Sequence, residues 1–169
     1  MSRLSYDPVE AARRHWLQQG WDDAAAGVAG SVSIMRGWQI ILNRANELLR
    51  PYDLTFARYQ VLGLLSPGWK LPLGQVGAAL WITPGTVTSS VDRLEAAGLI
   101  RRVPHPDDGR TVLAEITPKG RRVFDKAVGE LNREIFATIP LTEDELAQLV
   151  VLMNKIRSAA GDTVTPRED

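Results

Sequence analysis

Residues 83–120 read TPGTVTSSVDRLEAAGLIRRVPHPDDGRTVLAEITPKG, and they contain the strongest structural signals of the chain. Thr83 has a side chain suited to a helix N-cap, and Pro84 suits the first helical position. Gly98 is typical of the residue just past a helix end. The stretch therefore predicts a well-delimited helix between Thr83 and Gly98.

A β-hairpin is predicted directly after this helix. The run LIRRV at 99–103 and the alternating run TVLAEIT at 111–117 flank a polar turn that contains Asp108-Gly109. Such runs around an Asp-Gly pair are typical of two antiparallel strands. A shorter helix is predicted before Thr83, from about residue 72 to 80. The resulting order, helix, tight turn, capped helix and hairpin, is that of a winged helix-turn-helix.

The rest of the chain is predicted to be helical, which makes the fold mainly α with a small β-hairpin wing. The predicted organisation is an N-terminal extension helix and linker (1–30), a first dimerisation helix and second helix (31–66), a winged helix-turn-helix DNA-binding lobe (67–116), C-terminal dimerisation helices (117–160) and a disordered tail (161–169). Apolar stripes in 34–48, 124–135 and 146–156 exceed what a small winged domain needs for its core, which favours a homodimer. Packing of these helices within one chain is the alternative.

The composition excludes several function classes. The chain has 169 residues, 44% of them hydrophobic, and enough length for one compact domain with helical extensions. It has no cysteine and two histidines, which excludes disulfides, thiolate-zinc sites and a histidine-rich metal site. There is no nucleophile-base pair and no glycine-rich phosphate loop. We therefore expect no enzyme, no catalytic residue, no metal and no cofactor.

Charge and hydropathy set the expected location. Twenty basic residues balance twenty acidic ones, so any affinity for nucleic acid must come from local clustering. No apolar stretch approaches the roughly 20 residues that span a bilayer. The N-terminus has no signal-peptide apolar block. These observations predict a cytoplasmic protein without a membrane partner.

The predicted helix 84–96 has an outer face suited to DNA. Val87, Val91 and Leu94 define its buried side, and small hydroxyl-bearing residues with one arginine lie outward. Small side chains let a helix approach base edges, and hydroxyls and arginine bond bases or phosphates. The candidate DNA-binding residues of the helix and the hairpin are Thr83, Gly85, Thr86, Thr88, Ser89, Ser90, Arg93, Arg102, Asp108 and Arg110. A solvated face is the alternative, although such faces usually carry lysine and glutamate.

The hairpin tip provides a second contact. Arg110 can lie in the minor groove, where the negative potential is enhanced, and Asp108 has the spacing to hold its guanidinium. The alternative is an ordinary Asp-Gly turn with a solvated arginine.

The same stretch resembles the winged helix-turn-helix core of the MarR (multiple antibiotic resistance regulator) family. The residues that carry the match are Val87, Val91, Leu94, Glu95, Gly98, Leu99, Arg102, Asp108, Arg110, Ile116, Thr117 and Gly120, and the similarity covers about residues 31–158. The resemblance implies an obligate homodimer with interlocking first and last helices, binding to a palindromic double-stranded operator, and repression relieved by a small ligand. Many relatives have two adjacent arginines after the wing aspartate, where this chain has Gly109, Arg110 and Thr111.

A ligand pocket is expected between the dimerisation helices and the winged lobe. Its candidate residues are Trp16, Trp38, Leu42, Tyr59, Leu62 and Trp69, with Trp81 as a further wall residue. Core packing is the alternative for most of them. Arg36 or Arg58 is a candidate partner for an acidic ligand. The extension around Trp16 resembles the additional helix of urate-responsive members, but Gln60 and Ser90 stand where those have aspartate and arginine.

The sequence is compatible with two functions. The first is a sequence-specific DNA-binding regulator, most simply a homodimeric repressor released by a small aromatic or acidic molecule. The second is a winged-helix module that binds protein and not DNA. The second predicts no salt-dependent affinity for DNA, which separates the two. Activation is the alternative to repression, since contacts with the polymerase leave no readable motif.

Overall fold

The structure is a computed structural model and describes residues 4–164. Its elements in chain order are α1 (Pro8–Gln18), α2 (Asp22–Leu49), a 3-10 turn (Arg50–Tyr52), α3 (Phe56–Leu65), β1 (Leu71–Pro72), α4 (Leu73–Leu80), α5 (Pro84–Ala96), β2 (Ile100–Pro104), β3 (Val112–Ile116), α6 (Pro118–Glu134), a second 3-10 turn (Phe136–Thr138) and α7 (Glu143–Ala159). The chain divides into two compact units, with the boundary after Ile135. The fold is mainly α with a small sheet, as predicted.

The prediction of a linker before residue 31 is wrong, because α2 already begins at Asp22. Asp22 and Asp23 occupy its first turn, where the helix dipole favours negative charge. The alanines that follow have high helix propensity, and Ala25 is buried. α1 packs against α2, and this packing offsets the low propensity of Gly27 and Gly30. Tertiary contact therefore extends the helix through a stretch that periodicity alone does not mark.

The apolar core of the first unit is built around α3. Its largest fully buried side chains are Leu49, Leu62, Leu65, Leu94, Ile100, Leu131, Val61, Val76, Val87 and Val91. Complete burial of an aliphatic side chain of this size contributes roughly 1.5–3 kcal/mol. The inner side predicted for 84–96 is confirmed. On α6, Ala127 and Leu131 of the stripe 124–135 are buried within the single chain. In α2 the predicted apolar stripe is buried at Ala45 but exposed at Ile34 and Trp38.

α4 and α5 form the predicted helix-turn-helix, and the hairpin of β2 and β3, which we call the wing, follows them. Thr83 caps α5 by accepting the N–H of Thr86 at 3.4 Å, and Gly98 ends it at φ 70°. β2 and β3 pair antiparallel from Ile100↔Ile116 to Pro104↔Val112. β1 pairs with the other edge of β3 and was not predicted, because two residues carry no periodicity.

The first turn of α6 is fixed to the end of α5, and we call this contact the α5–α6 clamp. The Thr117 hydroxyl donates to the carbonyl oxygen of Gly98 at 2.8 Å. The Lys119 ammonium donates to the carbonyl oxygen of Ala97 at 2.7 Å. These donors satisfy carbonyls at a helix C-terminus that have no partner within the helix. The clamp therefore joins the DNA-binding lobe to a long helix of the first unit.

The second unit contains α7, which begins at the predicted capping box. The Thr142 N–H donates to the Glu145 carboxylate at 2.8 Å, and the Glu145 N–H donates to the Thr142 hydroxyl at 3.3 Å. Most of the large apolar side chains of α7 are exposed in the single chain: Leu149, Val150, Val151, Leu152 and Ile156. Of the predicted tail, 161–164 follow without helical structure and 165–169 lie outside the described residues.

Within residues 4–164, no helix combines the length and the apolar character that crossing a membrane requires.

Candidate nucleic-acid interface

The outer face of α5 is the surface that the sequence predicted for DNA. Gly85, Thr86, Ser89 and Arg93 are all exposed. A Cβ placed on Gly85 would meet no atom within 4 Å, so the helix surface is open at this position. An open, shallow helix face allows close approach of base edges in a major groove.

The threonine hydroxyls at the start of α5 order the helix and can also bond DNA. Thr83 and Thr86 bring their hydroxyl oxygens to 3.0 Å, and the Thr88 hydroxyl donates to the carbonyl oxygen of Pro84 at 3.0 Å. These bonds order the first turn of the helix. A hydroxyl has one donor and two acceptor positions, so an exposed threonine that already makes one bond can still bond a base or a phosphate.

The assignment of Ser90 to the DNA-binding face is wrong. Its side chain is buried, with 7% of its surface exposed. Ser90 lies three residues after Val87 and four before Leu94, and this spacing places it on the inner side of α5. It belongs to the packing of the lobe.

Arg102 was predicted to contact DNA, but in the structure it ties the wing to α5. Its guanidinium donates to the Asp92 carboxylate at 2.5 Å and also to the Glu95 carboxylate, which accepts the Arg102 backbone N–H at 3.0 Å. The hydrogen bond that Arg102 donates to Asp92 is the main cause that raises the pKa of Arg102 above its usual value. Two carboxylates compete with phosphate for this cation, so we interpret Arg102 as a residue that positions the wing.

The wing tip is ordered by Asp108 in a way that differs from the prediction. Asp108 accepts the backbone N–H of Arg110 at 3.0 Å and the hydroxyl of Thr111 at 2.6 Å. It therefore shapes the turn and does not hold the Arg110 guanidinium, as an aspartate followed by a tight turn commonly bonds the backbone two residues on. The Arg110 side chain lies exposed at the tip.

We expect the titration of Asp108 to report this turn. The Thr111 hydroxyl, followed by the Arg110 N–H, lowers the pKa of Asp108, so its stabilising contribution is present above the unfolded-state pKa and is lost as the pH falls through the folded-state pKa. In a Thr111→Val variant the pKa of Asp108 should rise toward its ordinary value, as measured by carboxyl-carbon NMR. An identical pKa in the two proteins would contradict the contact.

Several basic residues near the wing are paired with carboxylates of the protein itself. Arg101 donates to Glu115 at 2.6 Å, and Lys70 lies 3.3 Å from the same carboxylate. Within residues 4–164, neither Arg93 nor Arg110 has a carboxylate within 4 Å. These two arginines, one on the helix and one on the wing, are therefore open to bind phosphate or a base edge.

The six predicted pocket residues are not gathered at one site. Trp16 lies on α1, edge-on to Trp21 at 5.5 Å, and Trp38 on α2 lies edge-on to Phe56 at 5.6 Å. Trp69 is exposed in the loop before β1. The remaining predicted residues, all on α2 or α3, are Leu42, Tyr59 and Leu62.

Tyr59 and Leu62 are core residues and not pocket walls. Leu62 is fully buried, and Tyr59 stacks on Phe124 of α6 at a ring distance of 5.3 Å. Burial raises the pKa of the Tyr59 hydroxyl. Both side chains point inward because α3 packs against α2, α5 and α6 together.

The structure has a groove of about 730 Å³ at the junction of α2 and α3. Of its lining residues, only Leu42 and Arg58 were predicted from the sequence to contact a ligand. Polar groups of Asn46, Arg50 and Thr55 also line it. Within the described part of the chain, Arg50 and Arg58 have no ion-pair partner. Arg36 lines a separate groove of about 510 Å³ on α2. No sequence periodicity marks a groove that forms where a helix ends and the chain turns.

Comparison with known proteins agrees with this geometry. The family model described as MarR family matches residues 52–111. The multiple antibiotic resistance protein MarR of Escherichia coli is 33% identical over 115 residues, which cover 66% of this chain and 78% of that protein.

Solved structures show the same fold. Sco5413, a MarR family transcriptional regulator from Streptomyces coelicolor, superposes with a TM-score of 0.73 at 37% identity over 82% of this chain and 99% of its own. An E. coli MarR variant complexed with operator DNA gives 0.69 at 28% identity over 75% and 91%. CouR from Rhodococcus jostii, bound to p-coumaroyl-CoA, gives 0.64 at 27% identity over 79% and 92%. The chain therefore belongs to the MarR family of DNA-binding transcriptional regulators.

Proposed function

We propose that the protein is a cytoplasmic homodimeric repressor that binds a palindromic operator and is released from it by a small molecule. The observation that carries the proposal is the pairing, in one lobe, of an open hydroxyl-bearing helix face with Arg93 and Arg110, which no carboxylate of the described residues neutralises. No catalytic step is assigned to the chain. The relative solved with operator DNA supports the first part of the proposal.

The readout of DNA is divided between the helix and the wing. Thr86, Ser89 and Arg93 bond base edges or phosphates in the major groove, and Arg110 enters the adjacent minor groove. Asp108 and Arg102 act indirectly, since one shapes the wing turn and the other ties β2 to α5.

A dimer would supply two such lobes. In the single chain, α2 exposes the large apolar side chains Ile34, Met35, Trp38 and Ile40, and α7 exposes five more. Apolar surface on this scale is typical of a protein interface. Two recognition helices on one dimer would reach half-sites about 10 base pairs apart, which is why a palindromic operator is expected.

The groove at the junction of α2 and α3 supports a small effector. Arg50 and Arg58 offer two guanidiniums, Asn46 and Thr55 add polar atoms, and Leu42 adds apolar surface. Glu47 and Asp53 also line it, which favours an effector with both acidic and hydrogen-bonding groups. One relative, CouR, was solved bound to p-coumaroyl-CoA, which supports an organic effector for this chain.

The test is an anisotropy titration against DNA from upstream of the gene, at several salt concentrations. We expect the wild type to bind tightly, with an affinity that falls steeply as the salt concentration rises. The Arg110→Ala variant should lose about 1–3 kcal/mol of binding free energy. Arg14→Ala is the control, because Arg14 lies on α1 and is paired with Glu10 at 2.8 Å. In the same assay, small aromatic acids are added to the protein–DNA complex, and the effector is expected to lower the anisotropy by releasing the DNA.

Two results would overturn the proposal. Equal affinity of the wild type, Arg110→Ala and Arg14→Ala would remove the wing from the interface. Absence of salt-dependent binding to any genomic fragment, in a selection from the whole genome, would favour the winged-helix module that binds protein.

A further inference from the structure

Trp81 occupies an unusual position in the turn between α4 and α5. Its backbone is left-handed, with φ 54° and ψ 43°, and its N–H donates to the carbonyl oxygen of Ala78 at 3.3 Å. Glycine adopts this conformation without strain, whereas a bulky side chain costs free energy there. The local backbone therefore gives no reason for a tryptophan.

The core gives no reason for it either. Trp81 exposes 66% of its surface, as much as the most exposed large apolar side chains among the described residues. Its indole N–H has no acceptor within residues 4–164. Strain that is kept in a turn without a packing benefit points to a role outside the folded chain.

The position of the turn indicates which part of the DNA the Trp81 indole would contact. In a helix-turn-helix the first helix crosses the DNA backbone, and the N-terminal residues of the second enter the major groove. Trp81 lies between the two, two residues before the cap residue Thr83. A shallow groove of about 390 Å³, lined also by Gly77, Ala78 and Ile82, adjoins the ring. The small residues Gly77 and Ala78 leave room for a sugar beside the indole.

We propose that Trp81 binds the DNA backbone at the edge of the major groove, with its indole N–H donating to a phosphate oxygen and its ring packing on a deoxyribose. An indole has one apolar body and one donor, which matches this pair of groups. The inference rests on the proposed DNA-binding function and adds to it a contact that carries no sequence information.

The test compares Trp81→Gly and Trp81→Phe with the wild type in the same anisotropy assay. We expect Trp81→Gly to raise the Kd about tenfold on operator and on scrambled DNA alike, since both the hydrogen bond to a charged phosphate and the packing of the ring on the deoxyribose are lost. The slope of log Kd against log salt should not change, because a neutral indole releases no counterion. Trp81→Phe also loses the N–H but keeps an aromatic ring for the packing on the deoxyribose, so its Kd should rise less.

Thermal unfolding supplies the second readout. Trp81→Gly relieves a strained backbone, so its midpoint should equal or exceed that of the wild type. The control is Trp69→Phe, because Trp69 precedes β1 at the end of the sheet away from the wing tip. The Kd of this control should not change.

The outcomes separate the two proposals. If the wild type does not bind DNA, the proposed function fails. If the wild type binds and Trp81→Gly binds equally well, the Trp81 contact is absent although the function stands. A midpoint that falls markedly in Trp81→Gly would also overturn the inference, since it would make Trp81 a structural residue.

Discussion

A Gly120→Ala variant should be destabilised by about 3 kcal/mol or more. A Cβ on Gly120 would lie 1.9 Å from the carbonyl oxygen of Leu99 and 3.0 Å from the side chain of Ile116. The carbonyl cannot move aside, because it accepts the N–H of Thr117 at 3.0 Å and its hydroxyl at 3.1 Å. Such overpacking costs typically 1–3 kcal/mol and occasionally more, and here the opposing atom belongs to fixed backbone.

Calorimetry or circular dichroism at fixed protein concentration would measure the effect. For a chain of this size each kcal/mol lowers the midpoint by about 2–4 °C, so a fall of about 6–12 °C is expected. The matched control is Gly129→Ala in the same helix, where a Cβ would meet nothing within 4 Å. That substitution should stabilise the protein by about 0.4–1 kcal/mol. Equal midpoints for Gly120→Ala and the wild type would contradict the close packing.

A Leu152→Glu variant should be monomeric and should bind the operator about 100-fold more weakly or worse. Leu152 lies on α7 and is 58% exposed in the single chain, so a charge there costs the isolated protomer little. In a dimer interface the same charge would be buried without a partner, which is strongly destabilising. Loss of the dimer removes the second half-site contact, and linked sites typically contribute 10²–10⁴-fold to affinity.

Sedimentation velocity would report the assembly, and the anisotropy titration would report the affinity. Ala11→Glu is the control, because it adds the same charge to an exposed position on α1 and leaves the apolar residues of α7 unchanged. It should remain dimeric with the affinity of the wild type. A dimeric Leu152→Glu protein with full affinity would exclude this face of α7 from the proposed interface.

The secondary structure of the DNA-binding lobe could be predicted from short segments of the chain. The cap at Thr83, the helix end at Gly98 and the Asp-Gly turn are short-range signals, and each is decided by the chemistry of a few neighbouring residues. The capping box at the start of α7 is of the same kind. Helical periodicity also separated the buried and exposed sides of α5, although Ser90 was placed on the wrong one.

The tertiary structure alone decided the partners of the charged and aromatic residues. The spacing of Arg102 does not show that Asp92 and Glu95 face it across the hairpin, and this contact turns a predicted DNA ligand into a positioning residue. Tertiary packing likewise places Tyr59 in the core and extends α2 to Asp22 through contact with α1. It leaves Trp81 exposed in a strained turn. Contacts between residues distant in sequence depend on how the elements pack. Hydrophobic periodicity shows which face of an element is apolar, but it does not show which element packs against that face.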